Sequence, residues 1–154
     1  MYVRRMQATL LVATAVGWVL CTTPVKAQDK GAPPMAHFDV QVIHASRAEV
    51  PADPALKPLT EYLTKSFKRY KSFKRVDQFT LVSSKGAAAR GKLPDRKTLS
   101  LTYLETEKGF VKVALELDGL KTTVRVRNGG LFFQAGRLYK DGILVLAIQA
   151  NTGK

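Results

Sequence analysis

The chain has 154 residues, 25 of them Lys or Arg against 12 Asp or Glu, for a formal net charge of +13. Its one cysteine, Cys21, excludes an internal disulfide and any multi-thiolate metal site. Its only histidines, His37 and His44, fall seven residues apart on what reads as one strand, where opposite side-chain directions keep them from sharing a metal.

Residues 1–27 have the three-part layout of a secretory signal peptide: Arg4 and Arg5, the apolar run Ala8 to Cys21, and Val25-Lys26-Ala27 before Gln28. The apolar run falls short of the ~20 residues a membrane span needs. Acylation at Cys21 is the lesser reading, because that processing wants a small residue where Leu20 stands. Cleavage after Ala27 leaves 127 residues with no cysteine and no transmembrane span, so a periplasmic or secreted protein with an ordinary hydrophobic core is expected. Residues 28–36, with Gly31, Pro33 and Pro34, read as a flexible lead, and residues 37–154 as a single domain.

Phe38 to Ala45 alternates as a first strand. Asp53-Pro54 then looks like a helix start, with the carboxylate capping free amides and proline at the first helical position. Leu56, Leu59, Leu63, Phe67 and Tyr70 follow at helical spacing, interrupted only by Pro58. Ser72 to Val82 returns to strand character. Ser84 to Lys97 shows no period and few large apolar residues, so it is expected to be a long loop and the first candidate for a contact surface.

From Lys97 to Ala150, Gly109, Gly119 and Gly129 fall ten residues apart, the rhythm of a β-meander. Leu99, Leu101 and Tyr103 share one face, as do Val111, Val113, Leu115 and Leu117, and as do Leu120, Thr122, Val124 and Val126. Asp118-Gly119 and Asn128-Gly129 are expected to close hairpins, since both residue types tolerate positive φ. Ile143 to Ile148 does not alternate, which predicts a central strand covered on both faces, with the helical stripe as the natural cover. The expected fold is α+β: one N-terminal helix packed on a mainly antiparallel sheet of about seven strands with a C-terminal β-meander.

The charge is uneven. Residues 1–27 contain Arg4, Arg5 and Lys26 and no acid, leaving 22 basic against 12 acidic residues beyond them. Lys65-Ser66-Phe67-Lys68-Arg69 repeats as Lys71-Ser72-Phe73-Lys74-Arg75. The following loop adds Lys85, Arg90, Lys92, Arg96 and Lys97 against Asp95 alone. Lys68, Arg69, Lys71, Lys74 and Arg75 with those five loop cations are the anion-binding candidates. Their partner would be an anionic envelope component or an envelope protein, and clustered cations would make the encounter salt-sensitive. Nucleic acid is disfavoured because Phe67 belongs to the apolar stripe and an exported protein seldom meets it. A solvated, solubilising surface is the plainer reading of such a charge run.

No catalytic set, metal site or cofactor motif is legible. His37 and Asp39 would share a face without a third partner. Glu105 and Glu107 beside Lys108 fit an exposed hairpin end better than a paired-carboxylate cleft. Gly86 and Asn128-Gly129-Gly130 stand outside any strand-to-helix phosphate motif.

Ile43-His44-Ala45, Asp53-Pro54-Ala55-Leu56 with its leucines, Thr122 to Gly130 and Asp141 to Ile148 together resemble a family of short, exported bacterial proteins, uncharacterised, and the resemblance implies no activity. Val124 to Gly136 is also similar to the valine, Asp-Gly, Gly-Gly phrase in the barrel region of secretins, with Asn128 in place of the aspartate and Ala135 in place of the first late glycine. The chain is far too short for a secretin subunit, so no channel function is implied. The functional expectation is a non-enzymatic, extracytoplasmic accessory or binding protein of the bacterial envelope with a basic, anion-contacting surface. The alternatives are a small envelope-polymer hydrolase and an edge-strand interaction module such as an inhibitor or assembly chaperone.

Overall fold

A computed structural model describes residues 32–153. The expected signal peptide, Cys21 and the first part of the expected lead lie outside the described residues. Eight strands form two four-stranded antiparallel sheets. In chain order they are β1 (Met35–Ser46), β2 (Ser72–Ser84), β3 (Ala88–Lys92), β4 (Thr98–Glu107), β5 (Phe110–Leu117), β6 (Leu120–Arg127), β7 (Leu131–Tyr139) and β8 (Gly142–Thr152). The first sheet runs β2-β1-β8-β7 and the second β3-β4-β5-β6. Every strand follows its predecessor up and down, and β8 returns to pair with β1. The chain changes sheets at β2–β3 and at β6–β7, which makes a flattened barrel open along two seams.

The α+β expectation is thereby corrected: the fold is a sheet-on-sheet β architecture, not one helix packed on a seven-stranded sheet. The face alternation of β4 and β5 buries Leu99, Leu101, Tyr103, Val111, Val113, Leu115 and Leu117. Their partners are Phe38, Val40 and Val42 of β1 and Leu144, Leu146 and Ile148 of β8, so this core lies between the two sheets. A helix is not needed to bury it.

The leucine-rich segment is a strap, not a regular helix. Pro54–Leu56 is a single 3-10 turn and the α-helix, α1, spans only Thr60–Ser66. Pro58 lies between them, and without an amide it cannot continue a hydrogen-bond ladder. Asp53 caps the first turn by accepting from Ala55 N–H at 2.9 Å, and its other oxygen accepts from Arg75 N–H at 2.9 Å. Those two bonds, that from Arg75 first, hold its carboxyl below the usual range and tie the strap to β2. Leu56 and Leu63 are fully buried against Ile43, Ala45, Ile143, Val145 and Ala147 on the outer face of the first sheet. Ile143 to Ile148 is therefore buried on both sides.

Three further expectations are revised. The loop from Ser84 to Lys97 contains β3, paired with β4 from Ala88 opposite Thr102 to Lys92 opposite Thr98. Its inward residues are Ala89 and Gly91, too small to register as an apolar stripe. A side chain at Gly91 would meet the Phe79 ring, which crosses the β2–β3 seam there. Asp118-Gly119 does close the β5–β6 hairpin, but Asn128-Gly129 turns between strands of different sheets and closes no hairpin ladder. β1 starts at Met35, so it takes in the last two residues of the expected lead.

Candidate functional site on the outer face of the second sheet

The strands of the second sheet turn most of their large apolar residues inward and leave charged and small residues outside. Ladder register sets Arg90, Ser100, Glu116 and Lys121 in one row across β3 to β6, and Ala88, Thr102, Ala114 and Thr123 in the next. The second row has no side chain larger than threonine, so the surface dips. The result is a shallow depression of about 520 Å³ with Arg90 at one rim and the Lys121–Glu116 pair, 3.4 Å apart, at the other. Hydroxyls of Ser100, Thr102 and Thr123 line its floor. Such a surface offers hydrogen bonds and positive charge, and its one carboxylate, Glu116, is paired with Lys121.

Lys92 continues this face beyond Arg90. Arg125, over the Phe110 ring at 4.6 Å, and Arg127 continue it along β6. Arg90, Lys92, Arg125 and Arg127 have no carboxylate partner among the described residues, whereas Lys112 is paired with Glu105 at 3.2 Å. That pair also settles the place of the two glutamates: Glu105 and Glu107 stand beside Phe110, Lys112 and Arg125 on this face.

The ten sequence candidates do not converge. Arg90 and Lys92 stand on this face. Lys85 sits in the β2–β3 connection at one end of the barrel, and Arg96 and Lys97 in the β3–β4 turn at the other. Lys68, Arg69 and Lys71 follow α1, and Lys74 and Arg75 lie at the start of β2. Lys71 is held by Glu49 at 2.9 Å and Lys97 by Asp118 at 2.9 Å. Sequence reasoning missed Ser100, Thr102, Lys121, Thr123, Arg125 and Arg127 as site residues. Their signal was present in the outward positions of β4 and β6; the inward positions read as packed are core in β4, whereas in β6 only Val126 is buried.

The end of the barrel holding Arg96 and Lys97 is closed by Arg137 of β7, which donates to Asp95 Oδ2 and to Asp118 Oδ2, each at 2.6 Å. Together with Lys97 it holds the Asp118 carboxyl at about 2, below the ordinary 3.8. A carboxylate favoured in the folded state contributes stability above its unfolded value, and that contribution disappears as the pH falls from about 4 toward 2. Arg137→Gln is therefore expected to flatten the drop in melting temperature between pH 4 and pH 2, read by circular dichroism. An acid limb as steep as the parent's would remove Asp118 from the explanation.

Also at that end, Ser46 Oγ donates to Asp141, and Asp141 Oδ1 lies 3.1 Å from His44 Nε2. The Ser46 hydroxyl, followed by the residue's own backbone N–H, keeps the Asp141 carboxyl low. The carboxylate stands between serine and histidine, so the imidazole does not touch the hydroxyl it would have to deprotonate. Ser46 Oγ also accepts from Ala48 N–H at 3.1 Å and serves the turn out of β1. His37 and His44 face opposite sides of β1. Asp39, which shares a face with His37, accepts from Thr80 Oγ1 at 2.7 Å.

Among the described residues no helix is long and apolar enough to cross a membrane. No protein-family model matches the chain, and comparison with curated proteins and with solved structures finds no match.

Proposed function

We propose that this is an exported, non-enzymatic binding protein of the bacterial envelope that holds an anionic partner against the outer face of its second sheet. The observation that carries this reading is the depression floored by small hydroxyl-bearing residues, with Arg90 at its rim and Lys92, Arg125 and Arg127 beside it, none of them with a carboxylate partner among the described residues. An unpaired arginine beside hydroxyl donors is suited to oxyanions, because its planar fork can bond two oxygens at once. The leader-like residues 1–27 support export, and the overall excess of cations supports salt-sensitive capture.

The test uses two probes, phosphatidylglycerol vesicles and inorganic polyphosphate, in a salt series. Neutralising Arg90, Lys92, Arg125 and Arg127 together to glutamine is expected to weaken binding at least about tenfold at low salt, since each cation near an anionic surface is worth ~1 kcal/mol. Neutralising Lys68 and Arg69 is expected to change it little. Equal losses from both sets would mean that general charge, not this face, does the binding.

A further inference from the structure

β6 uses only half of its hydrogen-bonding capacity. Among the described residues it pairs with β5 and with no other strand. Its hairpin turns on Asp118 and Gly119, with φ of 49° and 84°, the two-residue form in which the flanking Leu117 and Leu120 make a hydrogen-bonded pair. Bonded and non-bonded pairs alternate along an antiparallel ladder, so Leu120, Thr122, Val124 and Val126 direct their backbone groups to β5. The amides and carbonyls of Lys121, Thr123 and Arg125 point away from the sheet. At Arg127 the carbonyl is already taken by Gly130 N–H at 2.7 Å, which ends the open stretch.

The same residues carry the charge. Lys121, Arg125 and Arg127 stand on the outer face, while Leu120, 45 % exposed, and half-buried Val124 stand on the inner one. The neighbouring edge strand, β7, is irregular, with its register broken between Ala135 and Arg137. β6 has neither a bulge nor a proline. Pairing of β6 with β6 of a second copy would bring Lys121, Arg125 and Arg127 against their own kind, and like charges across a ladder are destabilising. An open edge with this charge rejects a copy of itself and favours an acidic strand.

We infer that β6 is the docking edge for an extended segment of a partner protein in which acidic and apolar residues alternate. The segment's backbone pairs with Lys121, Thr123 and Arg125. Its acids lie beside Lys121, Arg125 and Arg127, and its apolar side chains lie against Leu120 and Val124. This rests on the anionic partner proposed above and identifies it as a polypeptide.

The experiment uses the folded protein with a nine-residue peptide alternating valine and glutamate, a valine–lysine peptide as control, and polyphosphate and phosphatidylglycerol vesicles as non-peptide anions. The valine–glutamate peptide is expected to bind and to slow amide exchange at Lys121, Thr123 and Arg125 at least tenfold, with no such slowing by polyphosphate. Thr123→Pro removes an amide that β5 does not use. Relative to Thr123→Val, which loses the same floor hydroxyl but keeps the amide, it should weaken the peptide at least tenfold and leave polyphosphate binding equal. Should that variant unfold, the pair Lys121→Glu and Arg125→Glu decides, because it is expected to switch preference to the valine–lysine peptide. Peptide binding that leaves the three amides unprotected, or a charge-reversed pair with unswitched preference, overturns the docking edge. Binding of polyphosphate or vesicles without the peptide overturns it too, while leaving the proposed function standing. If none of the probes binds, both fall.

Discussion

Gly142→Ala is expected to destabilise the fold by about 3 kcal/mol, the upper part of the usual overpacking range, and to lower the melting temperature by about 10 °C for a chain of this size. Gly142 opens β8 directly opposite Ser46 of β1, and an added Cβ would run into the backbone carbonyl of Ala45, with His44 Nε2 only 3.2 Å away. A flexible side chain could swing aside; a ladder carbonyl cannot without parting β1 from β8. That pairing returns the last strand to the first, so the strain is placed where the barrel closes. Thermal unfolding within 2 °C of the parent would show that the β1–β8 ladder tolerates displacement there. Gly119→Ala is the useful contrast, because its Cβ meets nothing and its cost comes from positive φ alone.

Leu146→Ala should cost about 2–5 kcal/mol, the range for deleting a fully buried leucine and leaving a cavity. Leu146 is 1 % exposed in the core between the sheets, whereas Leu63, fully buried, lies in the separate cluster beneath the strap. Both truncations remove the same atoms from apolar surroundings. They differ in what can move. The sheets are held together by the continuous core between them and by two chain connections, while the strap is a short irregular crossing that can settle onto β8. Leu63→Ala is accordingly expected to cost the lesser amount, measured by urea unfolding of both variants. A larger loss at Leu63 would make the strap the keystone of the fold and the core between the sheets secondary.

The strands of the fold were largely legible because an antiparallel strand with one buried face writes its geometry as alternation. β4 and β5 show this at every inward position, and β8 shows the opposite, unbroken apolarity, because strap and core cover both its faces. β3 escaped notice for a physical reason: at the tight β2–β3 seam its inward residues had to be small, and smallness carries no hydropathy signal. The helix was over-read because leucines every three or four residues describe one covered face, and an irregular strap crossing a sheet needs the same face as a regular helix. Pro58 was the residue that distinguished the two.

For the candidate site, Arg90 and Lys92 were singled out as cations of a loop, yet they act as outward residues of a strand. Ser100, Thr102 and Thr123 were passed over because hydroxyls on a wet strand face are ordinary in one dimension. They matter only when the register sets them side by side under Arg90 and Lys121.

The order of residues by itself determined the excess of positive charge, the inward and outward faces of the longer strands, the turn at Asp118-Gly119 and the double burial of β8, since each depends on neighbours within a few positions. Tertiary structure decided that there are two sheets, that Asn128-Gly129 crosses from one to the other, which cations remain unpaired, and that β6 is left with an open edge. Pairing between strands distant in sequence settles those matters, because a hydrogen-bond donor is free or spent only relative to the strand that lies beside it.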